Sequence, residues 1–159
     1  MDPSKRTLVA WLGAIGGAAT IIGVALPWVR DSSDRGAGLS INGLIAGPWV
    51  MLFGVVMAGA SLFLLADADP RKVVAILGPV SLAVLAYVTP VILNKEAALF
   101  GGLAQVFTER GIGLYVCLVG GLLGLVAVGI AAIDLMSPSS SAADAPSGFD
   151  LGEVSEPQD

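Results

Sequence analysis

Apolar residues along this chain fall into four long runs separated by shorter polar breaks. Residues 8–29, 44–66, 73–93 and 112–133 form runs of 21 to 23 residues, and none of the four contains Asp, Glu, Lys, Arg or His. A hydrocarbon core about 30 Å thick takes roughly 20 helical residues at about 1.5 Å each, so every run is long enough to span it. Backbone groups in hydrocarbon must bond within their own segment, so the runs predict helices. A transmembrane barrel would show short alternating segments instead, and the sequence has none. The expectation is an all-α integral membrane four-helix bundle in a domain covering residues 1–136.

The breaks sharpen this picture. The first, RDSSDRGAGLSING, is polar and glycine-rich; its charges cancel, and Asn42-Gly43 reads as a turn pair that closes an exposed loop. The second, DADPRK, is short, with Asp69 as N-cap and Pro70 at the first helical position, so helices two and three should form a tight antiparallel hairpin. The third, residues 94–111, places Leu99, Phe100, Leu103, Val106 and Phe107 on one helical face. It is too short to span and reads as an extra interfacial or re-entrant amphipathic segment. The alternative is a plain loop broken at Gly101-Gly102. Pro79, after Gly78, predicts a kink in helix three, read either as a hinge or as an ordinary bend absorbed by its neighbours.

The triplet Pro-Trp-Val occurs twice, at 27–29 and 48–50. Trp28 falls where the first run ends and Trp49 about one turn into the second. Both are expected at one membrane face, with the indole ring in the interface and its N–H near water. Trp11 lies 17 residues before Trp28, about 26 Å along a helix, and marks the opposite interface. Pro48 suits the first turn of helix two, and Pro27 helps to end helix one. Small residues then supply the packing surfaces, because apolar burial gives helices little reason to associate in lipid. Gly13 and Gly17 form GxxxG in the first run and Gly120 and Gly124 in the fourth, while Gly47, Gly54 and Ser61 recur every seven residues in the second. Internal packing is the favoured use of these stripes, with dimerisation the alternative.

Composition and charge narrow the function. Of the 159 residues 55% are apolar and 13% charged, which agrees with a membrane protein. The net charge of −5 comes from residues 137–159, which hold Asp144, Asp150, Glu153, Glu156 and Asp159 and no base. That serine-, proline- and acid-rich stretch reads as a disordered tail. Its apolar island, Phe149, Leu151 and Val154, is a candidate docking motif, against the simpler reading of a solvating tail. No basic cluster is large enough for nucleic acid. The chain has no histidine, and Cys117 is its one cysteine. Imidazole catalysis, histidine-based metal sites and an intrachain disulfide are therefore excluded. The runs carry no charge of the kind a proton-coupled transporter embeds, and no catalytic triad or phosphate loop appears. No catalytic, cofactor-binding or metal site is assigned. Lys5-Arg6 followed by an apolar run and Gly23-Val24-Ala25 has elements of a secretory signal, but the run is long and a retained helix is favoured.

The layout resembles small prokaryotic, haloarchaeal-like four-span membrane proteins, through Leu26-Pro27-Trp28 at the end of helix one and the glycine-rich Gly36-Ala37-Gly38-Leu39 after it. It is also distantly similar to claudin-like tetraspans at Trp28 and Gly38-Leu39. That pattern has a second Trp where Ser40 stands and two loop cysteines that this chain lacks, so an adhesive role does not carry over. Lys5, Arg6, Arg71 and Lys72 lie near one set of helix ends, and a cell-membrane protein with both termini cytoplasmic is expected. The expected function is that of a non-enzymatic scaffold, assembly partner or accessory subunit, surrounded by lipid and joined to a membrane-protein partner or to copies of itself. Its contact face would comprise Trp28, Trp49, Leu99, Phe100, Leu103 and Phe107. The alternative is a channel or transporter subunit for a neutral or apolar solute.

Overall fold

The computed structural model describes residues 1–30, 40–93 and 109–137. The amphipathic stretch around Leu99, Phe100, Leu103 and Phe107, most of the first loop, and the acidic tail lie outside the described residues. The element order is α1 (Pro3–Ala25), β1 (Pro27–Arg30), β2 (Ser40–Asn42), α2 (Gly43–Ala46), α3 (Pro48–Leu65), α4 (Pro70–Leu93), β3 (Glu109–Arg110) and α5 (Ile112–Met136). The chain is predominantly helical, and α1, α3, α4 and α5 are each long and apolar enough to cross a membrane. That places the protein in the multi-pass membrane class.

Three expectations need correction. The first helix does not run to Val29; it stops at Ala25 and the chain turns into a strand. The reason is Pro27, which has no N–H to give the carbonyl four residues back, on Gly23. Leu26 makes the last helical bond, its N–H donating to the Ile22 carbonyl at 3.1 Å. Nor is the chain purely α. β1 pairs antiparallel with both β2 and β3, giving a three-stranded sheet in the order β2-β1-β3. Val29 stands opposite Ile41 on one side and Arg110 on the other. Asn42-Gly43 is not a turn pair: Asn42 ends β2 and Gly43 opens the one-turn helix α2.

The helices meet through small residues. α1 packs against α3 and α5, and α4 against the same two. A Cβ on Gly17 would lie 2.5 Å from the Ala58 nitrogen and 2.6 Å from the Gly54 carbonyl oxygen. One on Gly16 would lie 2.8 Å from the Gly120 carbonyl oxygen, and one on Gly120 2.6 Å from that of Gly16. Gly13 faces Ser61, and Gly124 faces Ser81 and Met57. These approaches bring helix backbones into direct contact, where dispersion is strongest. Val9, Val24, Met57, Leu64, Leu77, Val84 and Leu114 fill the space between the glycine contacts.

Polar groups tie one end of the helices together. Asp69 caps α4 by accepting from the Arg71 N–H at 3.0 Å, and Pro70 follows it. Asp67, in the left-handed region at φ 61°, reverses the chain between α3 and α4. Arg6 of α1 reaches across to this turn. Its Nε donates to the Leu64 carbonyl at 2.6 Å, its Nη2 to the Ala68 carbonyl at 3.1 Å, and its Nη1 lies 3.0 Å from the Asp67 carboxylate. Lys5 meets Asp134 of α5 at 2.7 Å. The start of α1, the α3–α4 turn and the end of α5 therefore share one end of the molecule, and the sheet lies at the other.

Unfolding in mixed micelles tests these contacts. Gly17→Ala should cost about 2 kcal/mol or more, since backbone atoms cannot move aside as a side chain does. Gly59→Ala, with nothing within 4 Å of its Cβ, should stay within about 0.5 kcal/mol of the parent or gain slightly. Arg6→Ala should cost about 1–3 kcal/mol by releasing two carbonyls and a carboxylate at once. Arg6→Lys should recover little of it, because an ammonium does not present the planar fork.

Candidate functional site

The sheet end holds the chain's most built surface. It starts from the carbonyl of Gly23 that Pro27 leaves without a helical donor. The next residue supplies one: the Trp28 indole Nε1 donates to that carbonyl at 3.0 Å. Trp28 is thereby turned inward and fully buried. Gly113 and Gly43 make room for its ring; a Cβ on Gly113 would lie 2.8 Å from Cδ1, and one on Gly43 2.5 Å from Nε1. Tyr87 of α4 packs on the other side, with ring centroids 6.3 Å apart and planes at 54°, a tilted arrangement favoured by the ring quadrupoles. Gly111 lets β3 approach β1, its N–H donating to the Trp28 carbonyl at 2.7 Å.

This corrects the reading of Trp28 as an interfacial residue with its N–H near water and as part of a contact face. It is a core residue, bonded to backbone, and presents no surface to a partner. Trp49 behaves differently although its triplet is identical. Pro48 stands at the first position of α3, which its fixed φ suits. Among the described residues the Trp49 indole has no such tether, and it stays 67% exposed. Next to it in sequence, α2 exposes Leu44 (44%) and Ile45 (75%). The corner is backed by Gly43 against Trp28 and by Gly47 against Tyr87, where a Cβ on Gly47 would lie 2.7 Å from the Tyr87 ring.

Of the residues expected to form a contact face, Trp49 is exposed, Trp28 is buried, and Leu99, Phe100, Leu103 and Phe107 lie outside the described residues. Gly13, Gly17, Gly54, Gly120 and Gly124 all lie at contacts between helices. Leu44 and Ile45 went unnoticed as surface residues because they read as the start of a span; the signal was Gly47-Pro48, which breaks the run after them. Tyr87 gave no sequence signal of its pairing with Trp28.

The spans hold few polar side chains. The Thr20 hydroxyl donates to the Gly16 carbonyl at 2.9 Å, and that of Ser61 to the Met57 carbonyl at 2.7 Å. The Cys117 thiol is buried and reaches the Thr20 carbonyl at 3.5 Å. Ser81 is fully buried and its hydroxyl has no partner; the buried Asn42 Oδ1 likewise accepts from nothing. Among the described residues no group of three or more His, Cys, Asp or Glu side chains is placed to hold a metal. A shallow cleft of about 260 Å³ at the opposite end is lined by Arg6, Thr7, Leu64, Leu65 and Asp67, among others. Its one cationic side chain, Arg6, is engaged by the carbonyls and carboxylate already described.

No protein-family profile, curated protein or solved structure matches this chain.

The placement of the tryptophans is testable by fluorescence in bilayers containing brominated lipids. Trp49→Phe should remove a large share of the quenchable emission. Trp28→Phe should remove blue-shifted emission that the bromines barely quench, and should cost about 1–3 kcal/mol by orphaning the Gly23 carbonyl again.

Proposed function

We propose that the protein is a non-enzymatic, multi-pass protein of the cell membrane. Its four spans form one bundle, and it acts as an assembly partner or accessory subunit. The observation that carries this reading is the corner formed by Leu44, Ile45 and Trp49. It joins three exposed large apolar side chains to a packed backing of Trp28, Tyr87 and two glycines. An exposed aromatic side chain beside other apolar ones suits the centre of a contact surface. The interior favours the same reading over a solute path. Its helices approach at Gly16–Gly120, Gly17–Gly54 and Gly23–Gly113, closely enough that a methyl group would clash.

In the proposed orientation the termini and the α3–α4 turn are cytoplasmic. Lys5, Arg6, Arg71 and Lys72 then lie inside, in line with the bias of short cytoplasmic loops toward basic residues.

The test is gentle extraction from the native membrane, followed by native mass measurement and identification of whatever co-purifies. A stoichiometric second membrane protein is expected, with its recovery lowered about tenfold by Trp49→Ala, a loss typical of an anchor residue. Trp11→Ala should leave recovery unchanged. A clean monomer or homo-oligomer would overturn the accessory-subunit reading and favour the channel or transporter subunit for a neutral or apolar solute.

A further inference from the structure

We propose that the part of α4 beyond Pro79 is a movable strut that sets the position of the Leu44–Ile45–Trp49 corner. This deepens the reading of that corner as a contact surface by naming what regulates it.

Four observations converge on α4. First, Pro79 interrupts its hydrogen bonding in mid-helix. The ring nitrogen has no hydrogen for the Ala75 carbonyl, and the helix is softest there. Gly78, just before it, is loosely held: a Cβ there would meet only Val128, at 3.8 Å.

Second, α4 is gripped differently from the other three helices. α1 meets α3 and α5 backbone to backbone through glycine. The glycines that face α4 meet its side chains instead: Leu77 at Gly13, Ser81 at Gly124, Leu85 at Gly121 and Tyr87 at Gly47. Side-chain contacts can be exchanged by rotation about χ angles, whereas backbone contacts cannot.

Third, Ser81 lies two residues past Pro79 with its hydroxyl buried and unpartnered. Thr20 and Ser61 solve the same problem by donating to the carbonyl four residues back. For Ser81 that carbonyl belongs to Leu77, across the proline. An arrangement of α4 that gives the Ser81 hydroxyl a bond recovers the desolvation penalty that the present one carries.

Fourth, the strut is connected to the surface. Tyr87 presses on Gly47 and on the Trp28 ring. Gly47 is the cap residue of α3 and directly precedes Pro48-Trp49. Rotation of residues 80–93 therefore moves Tyr87 off Gly47 and shifts the corner that carries Trp49.

The three tryptophans serve as native probes. The full-length protein is labelled with 5-fluorotryptophan, placed in lipid nanodiscs and observed by 19F NMR, with relaxation dispersion for motion on the microsecond-to-millisecond scale of helix rearrangement. Trp28 and Trp49 should exchange between two states with one common rate and population, and Trp11, in the half of α1 away from the corner, should not. Ser81→Ala removes the incentive to leave the present arrangement and should lower the minor population about tenfold, the worth of one buried hydrogen bond. Pro79→Ala should act in the same direction and replaces Ser81→Ala if that variant fails to fold. Flat dispersion at Trp28 and Trp49 would overturn the proposal, as would exchange that neither variant alters. The spectra are taken on the isolated protein, so they stand whether or not a partner co-purifies. Flat spectra, in turn, leave the partner reading intact.

Discussion

A proline in or just after a helix leaves the carbonyl four residues back without a donor, and in hydrocarbon there is no water to supply one. At Gly23 this constraint organises one whole end of the molecule. Pro27 creates the orphan, and the indole of Trp28 fills it at 3.0 Å. Filling it turns the largest of the fully buried side chains inward. Burying that ring requires glycine at 43 and 113, and its other side is covered by Tyr87. Because the chain has left helical geometry, its next residues are free to pair as β1, and Gly111 can dock β3 beside them. One missing N–H thus accounts for where α1 stops, why Trp28 is a core residue, and why a sheet exists in a chain so dominated by helix.

Away from that end, cohesion comes from closeness rather than from exclusion of water. The contacts at Gly16–Gly120 and Gly17–Gly54 leave no space for a methyl group. The far end is closed by directed bonds instead, from Arg6 to two carbonyls and from Lys5 to Asp134. Both kinds of contact centre on α1, which lies between α3 and α5. α4 does not touch a glycine backbone to backbone in this way, and it carries both in-helix prolines. The difference between a firmly seated α1 and a more loosely seated α4 follows from where glycine and proline fall.

Much of the helical layout was legible because length and lack of charge are properties of segments. The four runs, the Asp69-Pro70 start of α4 and the approximate helix boundaries needed no knowledge of neighbours. The failures came where a residue's fate depends on a partner far along the chain. Trp28 and Trp49 carry the same flanking residues, so no local rule separates them. What separates them is the surroundings that the fold supplies: the Trp28 ring is enclosed by Gly43, Gly113 and Tyr87, whereas Trp49 stays exposed. The strands were equally hidden, since β1 pairs with residues on both sides of it in sequence, the more distant about 80 positions away. Two to four residues of strand carry no periodic signal strong enough to read.

The same logic ranks the unpaired polar atoms. Thr20 and Ser61 have hydroxyls that bond their own helices, so they say nothing about function. Asn42 lies at the junction of sheet and helix, and the residue as a whole is only partly buried. Ser81 has neither excuse. It is fully buried in mid-span, two residues past a proline, and faces a glycine that cannot bond its hydroxyl. Replacing it with alanine would remove the cost without loss of packing volume beyond one oxygen atom. An arrangement of α4 that bonded this hydroxyl would remove the cost without a substitution.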